Sequence, residues 1–185
     1  MKRTIHPPML SVSGFTLIEF VIVFSVLMIL TSIGIPSYFQ YSHKEAFDTA
    51  SDDFFTSLSQ AKSLAASQVI DTACSGLDFR GYAVSVTSAT AYRIEEYCGP
   101  SGTNLIGNYL SPTKYLHTLT PPLTFSLTGA GTYPVKYFFR VLNGAGEKYA
   151  QNGQLTYNGS IKLTGYGYSK TFSLSPLGVV SITTP

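Results

Sequence analysis

With 185 residues, a net charge of +2 and only two cysteines, the chain has room for one modest domain and a long appendage, which excludes two full domains and a uniformly polybasic surface. Charged residues make up 12% and hydrophobic residues 44%, too little charge for a purely soluble domain. Outside one apolar block the composition is rich in Tyr, Phe, Thr, Ser and Gly, which favours strands and turns over helix.

That block comes first. Residues 15–35 read FTLIEFVIVFSVLMILTSIGI, with 15 large apolar side chains among 21 positions and Glu19 as the only charge. As a helix it would span about 31 Å, one bilayer core. Lys2 and Arg3 precede it with no acid between, so the N-terminus is expected in the cytoplasm and the C-terminal part across the membrane. A secretory signal peptide has a shorter apolar core followed by a small-residue cleavage site. Here the small pair Ser13-Gly14 precedes a run about twice that length. An ordinary anchor has no need of a carboxylate near its start, where burial costs up to a few kcal/mol. Glu19 must therefore neutralise, snorkel to the interface or find a cation.

Gly14-Phe15-Thr16-Leu17-Ile18-Glu19 resembles the processing junction of type IV prepilins and type II secretion pseudopilins. The resemblance implies that residues 1–14 are a leader removed by a membrane prepilin peptidase. The same enzyme would methylate the new amine of Phe15 and leave the apolar segment in place. It further implies that Glu19 accepts the amine of a neighbouring subunit and sets axial register in a filament. Pro36 stands where many members carry a helix-distorting proline.

Beyond Pro36, where a kink or local melting is expected, Phe47, Ala50, Phe54, Leu58, Ala61 and Ala65 recur every three or four residues. They form one apolar stripe, with Asp48, Asp52, Lys62 and Gln68 on the wetter side. The helix is expected to run from Phe15 to about Val69. From residue 76 strand signals follow one another: 82–87 and 92–97 as a hairpin, then 123–127, 135–142, 154–157, 161–163, 171–174 and 179–182. Asn143-Gly144, Asn152-Gly153 and Asn158-Gly159 mark turns, and residues 99–122 read as a long loop. The expected fold is α+β, a long N-terminal helix packed on a C-terminal antiparallel β-sheet domain. In domain terms these are a leader (1–14), a transmembrane and assembly helix (15–36) and an extracytoplasmic domain (37–185).

Cys74 and Cys98 lie past the apolar block. Export and an even count favour a disulfide between them, against two buried reduced thiols. Of the histidines, His6 falls in the leader, His43 lies beside the apolar run, and His117 has no nucleophile that the sequence ties to it. No phosphate-binding glycine loop or zinc spacing is present, so neither catalysis nor a cofactor nor a metal is expected.

Residues 58–67, LSQAKSLAAS, and 172–180, FSLSPLGVV, are similar to the helix end and closing hairpin of the minor pseudopilin H family of type II secretion (GspH/FimT-like). Lys62 stands where members often have Arg. Major pseudopilins hold calcium in a C-terminal loop; past Cys98 the only acid here is Glu147, too few hard oxygens for such a site. A minor pseudopilin is thus implied, one that helps initiate or cap the filament driving exoprotein export. Its partners would be other pseudopilins of the filament, the prepilin peptidase/methyltransferase and the inner-membrane assembly platform. Extreme tip subunits of this superfamily often lack the carboxylate that Glu19 supplies. The alternative is a minor pilin of a type IV pilus, serving adhesion, twitching or DNA uptake. Residues 44–99 hold 4 basic and 8 acidic side chains, residues 100–185 hold 6 and 1. A basic half could meet nucleic acid, but no Lys/Arg run interleaved with aromatics is present. Complementary surfaces between subunits are the preferred reading of that asymmetry.

Overall fold

A computed structural model describes residues 14–70, 78–99, 115–129, 131–142, 145–149 and 159–184. The chain divides into two compact units, Met1–Ser42 and His43–Pro185. One helix, α1 (Leu17–Ala66), supplies the described helical part of both. The helix is assigned without a break through Pro36.

In the second unit, α1 lays the expected stripe against the sheets. Phe47, Phe54, Leu58, Ala61 and Ala65 are buried, and Ala50 packs beside them. Ser51 and Ser57 are buried too, completing a seam in which small residues let the sheets approach the helix backbone. The compact unit begins some way beyond Pro36 because residues 35–46 are all exposed and Phe47 is the first to bury. The helix ends at Ala66, short of Val69. Ser67 N–H still donates to the Ser63 carbonyl (2.9 Å), but Gln68 turns left-handed at φ 53 and stops the ladder.

Nine strands follow: β1 (Asp78–Ser88), β2 (Ala91–Gly99), β3 (Tyr115–Thr118), β4 (Thr124–Leu127), β5 (Val135–Arg140), β6 (Gly146–Tyr149), β7 (Ile161–Gly165), β8 (Tyr168–Leu174) and β9 (Val180–Thr183). They form two antiparallel sheets, ordered β3-β2-β1-β5-β6 and β4-β7-β8-β9. The α+β expectation holds: a long N-terminal helix packs on antiparallel sheets. The β1–β2 hairpin turns at Ala89-Thr90, inside the turn foreseen there. Two strands were not foreseen. β3 lies inside the expected loop 99–122 and is held by pairing with residues 91–94, and β6 is held by β5. The expected strand 154–157 and the Asn-Gly turns at 143–144, 152–153 and 158–159 fall wholly or partly outside the described residues.

The main core gathers Tyr82, Val84, Val86, Tyr92, Ile94, Val135, Tyr137 and Phe139 of the first sheet with Phe125, Ile161, Leu163, Phe172 and Leu174 of the second. Phe54 of α1 sits among them, with ring centroids 5.0 Å from Tyr92 and 4.9 Å from both Phe125 and Phe172. The two sheets are stitched by Tyr137, whose hydroxyl donates to the Phe172 carbonyl (2.8 Å) and accepts from Ile161 N–H (3.2 Å). Tyr82 hydroxyl donates to the Val69 carbonyl (2.8 Å), tying β1 to the segment after the helix. Ala83 of β1, Tyr97 of β2, Phe138 of β5 and Tyr149 of β6 make a second buried cluster.

Candidate functional site

The junction residues open the described chain. Gly14, Phe15 and Thr16 precede α1 in non-helical conformation, and Phe15 is 82% exposed. A Cβ built on Gly14 meets nothing within 4 Å and its φ is not left-handed, so among the described residues nothing requires glycine there.

Glu19 is not an isolated carboxylate. Its Oε2 accepts from the Thr16 backbone N–H and from the Thr16 hydroxyl, both at 3.2 Å, while Thr16 Oγ1 accepts from Glu19 N–H at 3.3 Å. That is a capping box: T-x-x-E with Thr16 as N-cap and Glu19 in the first turn, each satisfying a donor the helix leaves unpaired. The carboxylate also sits where the helix dipole favours negative charge. Oε2 carries both bonds, and Oε1 accepts none among the described residues. The sequence reading found Glu19 but missed its local partner, although T-x-x-E before an apolar run is itself a sequence signal.

From Leu17 to Ser32 every side chain is exposed, with none of the described residues covering it. Its three hydroxyls are satisfied inside the helix. Ser25 donates to the Ile22 carbonyl (2.8 Å), Ser32 to Ile29 (2.8 Å), and Thr31 to Leu27 (2.9 Å) and Met28 (3.1 Å). Lipid demands that arrangement, and water does not. By length and composition this helix can cross a membrane. Pro36 lies inside it, one turn past Ser32. Tyr38, Phe39 and Tyr41 follow, 68%, 54% and 68% exposed.

Cys98 is disulfide-bonded, and its proposed partner Cys74 lies outside the described residues. His43 stacks on Tyr166 (4.3 Å between centroids) and His117 on Tyr92 (4.8 Å), so both imidazoles pack against rings. Among the described residues no three His, Cys, Asp or Glu side chains gather as metal ligands do.

The acidic and basic halves of the sequence meet within the chain. Lys170 pairs with Asp48 (2.9 Å) and Lys136 with Glu95 (3.3 Å). Lys62 donates to the Gly178 carbonyl (2.9 Å) and Lys148 to the Gly159 carbonyl (3.0 Å). The Lys62 bond joins the stretch 58–67 of the helix to the stretch 172–180 of the second sheet. Two Glu-x-Tyr pairs that the sequence reading passed over line one side of the first sheet. Glu95 binds Arg93 and the Tyr97 hydroxyl, and Glu147 binds Arg140 and the Tyr149 hydroxyl. Burial, then the adjacent carboxylate, pushes both phenols far above their ordinary range.

Comparison with family profiles, with curated proteins and with solved structures finds no match to this chain.

Proposed function

We propose that the chain is a minor pseudopilin, a structural subunit of a type II secretion pseudopilus. It would be stored in the inner membrane by residues 15–36, with its N-terminus cytoplasmic and its C-terminal domain extracytoplasmic. A prepilin peptidase/methyltransferase would cut after Gly14 and methylate Phe15, and the assembly platform would pass the subunit to its filament neighbours. The observation that carries this reading is Gly14: a glycine with no described residue near its Cβ position and no left-handed φ, directly before a capped apolar helix, fits recognition from outside the chain. Glu19 supports it further, since Oε2 is held by Thr16 while Oε1 accepts no bond among the described residues and can take a neighbour's amine. Because Lys136, Lys148 and Lys170 of the basic half bind within the chain, a DNA receptor is disfavoured.

The test is processing followed by deletion. Co-expression with a prepilin peptidase is expected to yield a chain beginning at methylated Phe15, and Gly14→Val is expected to block cleavage. An uncut wild-type chain would reject the family. An in-frame deletion that abolishes exoprotein secretion while pili remain places the subunit in a pseudopilus. Loss of pili with secretion intact would favour a minor pilin of a type IV pilus instead.

A further inference from the structure

We propose that the tip of the β7–β8 hairpin, Tyr166-Gly167-Tyr168, is a second membrane contact that rests on the phospholipid headgroup layer. This rests only on the anchoring part of the reading above, not on filament assembly.

Within the second unit the hairpin runs along α1 toward His43, its first residue. Phe172 packs on Phe54 (4.9 Å), and Lys170 Nζ reaches Asp48 (2.9 Å) and lies over the Phe47 ring (5.8 Å). Tyr168 packs on Phe47 (5.7 Å), and Tyr166 at the turn stacks on His43 (4.3 Å). Each step up the hairpin meets a helix residue closer to the apolar run, and the last, His43, opens the second unit. Tyr41, Phe39 and Tyr38 immediately precede it in sequence, exposed and directly past a run of bilayer length. Aromatic residues in that position form the belt by which membrane helices set their depth, the ring at the acyl boundary and the hydroxyl in water.

The turn continues that chemistry on a separate element. Tyr166 and Gly167 both have positive φ, 53° and 84°, the geometry of a two-residue turn that normally selects Asn-Gly or Gly-Gly. A tyrosine stands there instead, flanked by Tyr168, which is 38% exposed although its ring touches Phe47. The opposite end of the same sheet differs. There Lys62 grips the β8–β9 turn at Gly178, 19 helix residues or about 28 Å beyond His43, and that turn carries Leu177, 80% exposed, with no tyrosine.

The chain contains no tryptophan, so one introduced indole reports one position. Tyr41→Trp, Tyr168→Trp and Leu177→Trp would be made in the full chain and reconstituted in phosphatidylethanolamine/phosphatidylglycerol vesicles. Some of the lipid would carry bromine near the headgroup end of the acyl chains. The expected result is loss of emission for Tyr41→Trp and Tyr168→Trp, with Leu177→Trp unquenched. If Tyr41→Trp is quenched while Tyr168→Trp matches Leu177→Trp, the hairpin contact is overturned and anchoring stands. If Tyr41→Trp itself escapes quenching, anchoring fails and the hairpin contact falls with it. Should Tyr168→Trp lose the native circular dichroism spectrum, Tyr166→Trp gives the same comparison at the other ring of the tip.

Discussion

Removing the Phe54 ring should nearly dissolve the joint between helix and sheets. Phe54 is completely buried and touches one aromatic ring of the first sheet, Tyr92, and two of the second, Phe125 and Phe172. Truncating a buried Phe to Ala costs about 3–5 kcal/mol, and loss of three ring contacts at one site places Phe54→Ala in the upper part of that range, about 4–5 kcal/mol. A domain of this size holds roughly 5–15 kcal/mol in all, so the variant would be marginal. Phe54→Leu removes three carbons from the same site and should cost about 2 kcal/mol. Its neighbour Phe55 points one position round the helix and is 37% exposed, so Phe55→Ala should cost about 1 kcal/mol at most. The assay is urea unfolding of the full chain in detergent micelles, followed by near-ultraviolet circular dichroism, comparing midpoints at constant m-value. A loss below about 1 kcal/mol for Phe54→Ala, or equal losses at 54 and 55, would refute the convergence of helix and both sheets on this ring.

Gly81 sits in a bulge of β1 at φ 146°, where an added Cβ would fall 2.0 Å from the Phe139 carbonyl oxygen; Gly81→Ala should lower stability by about 2 kcal/mol or more in the same unfolding assay. Tyr97 and Tyr149 should keep their protons where exposed tyrosines ionise. The unfolded chain releases these protons near pH 10 and the folded chain holds them, so this stabilisation is complete below about pH 10 and is lost as pH rises above it. Tyr97→Phe should therefore flatten the fall of stability with pH in that alkaline range, and an unchanged slope would contradict the assignment. A maleimide should add no mass to the oxidised chain in denaturant and two labels after reduction, since the chain has two cysteines and Cys98 is bonded. Glu19→Gln keeps an acceptor for Thr16 but not the charge. It should insert normally yet enter filaments as poorly as Glu19→Ala; wild-type incorporation beside wild-type partners would show that the charge is not used.

What was legible in the sequence was whatever is local or periodic. The stripe from Phe47 to Ala65 could be read because a helix repeats its buried face every three or four residues. The Thr16–Glu19 capping box was legible as well, because T-x-x-E before an apolar run is one short string. Features set by tertiary contact were not legible. Ser51 has a hydroxyl and was not counted as core, yet its place between Phe47 and Phe54 buries it. Glu95 and Glu96 alternate across β2, which suggests one acid in and one out. Both are buried, because the first sheet is covered on both sides. Strands β3 and β6, four residues each, have no alternation of their own and exist through pairing with β2 and β5. Gln68 ended the helix without the glycine that usually announces a left-handed cap. The charge asymmetry was visible, but only the fold could show Lys170 and Lys136 meeting Asp48 and Glu95 in the same chain.

Glu19 shows why a capping role and an assembly role are not alternatives. In lipid, the unpaired N–H groups of a helix start and a bare carboxylate are each costly, and placing them together relieves both. The box does this with Oε2 alone, while Thr16 returns a bond to the Glu19 amide. A cation arriving at Oε1 would then add to the cap without displacing it. In the proposed reading that cation is the amine that cleavage after Gly14 creates on a neighbouring copy, so the stored subunit holds its carboxylate oriented before the neighbour arrives. Orientation of this kind lowers the conformational entropy lost on docking, and it needs no contact from the C-terminal domain. On that proposal the domain is free to differ between subunits of one filament, because the part that would set register is contained in residues 14–19.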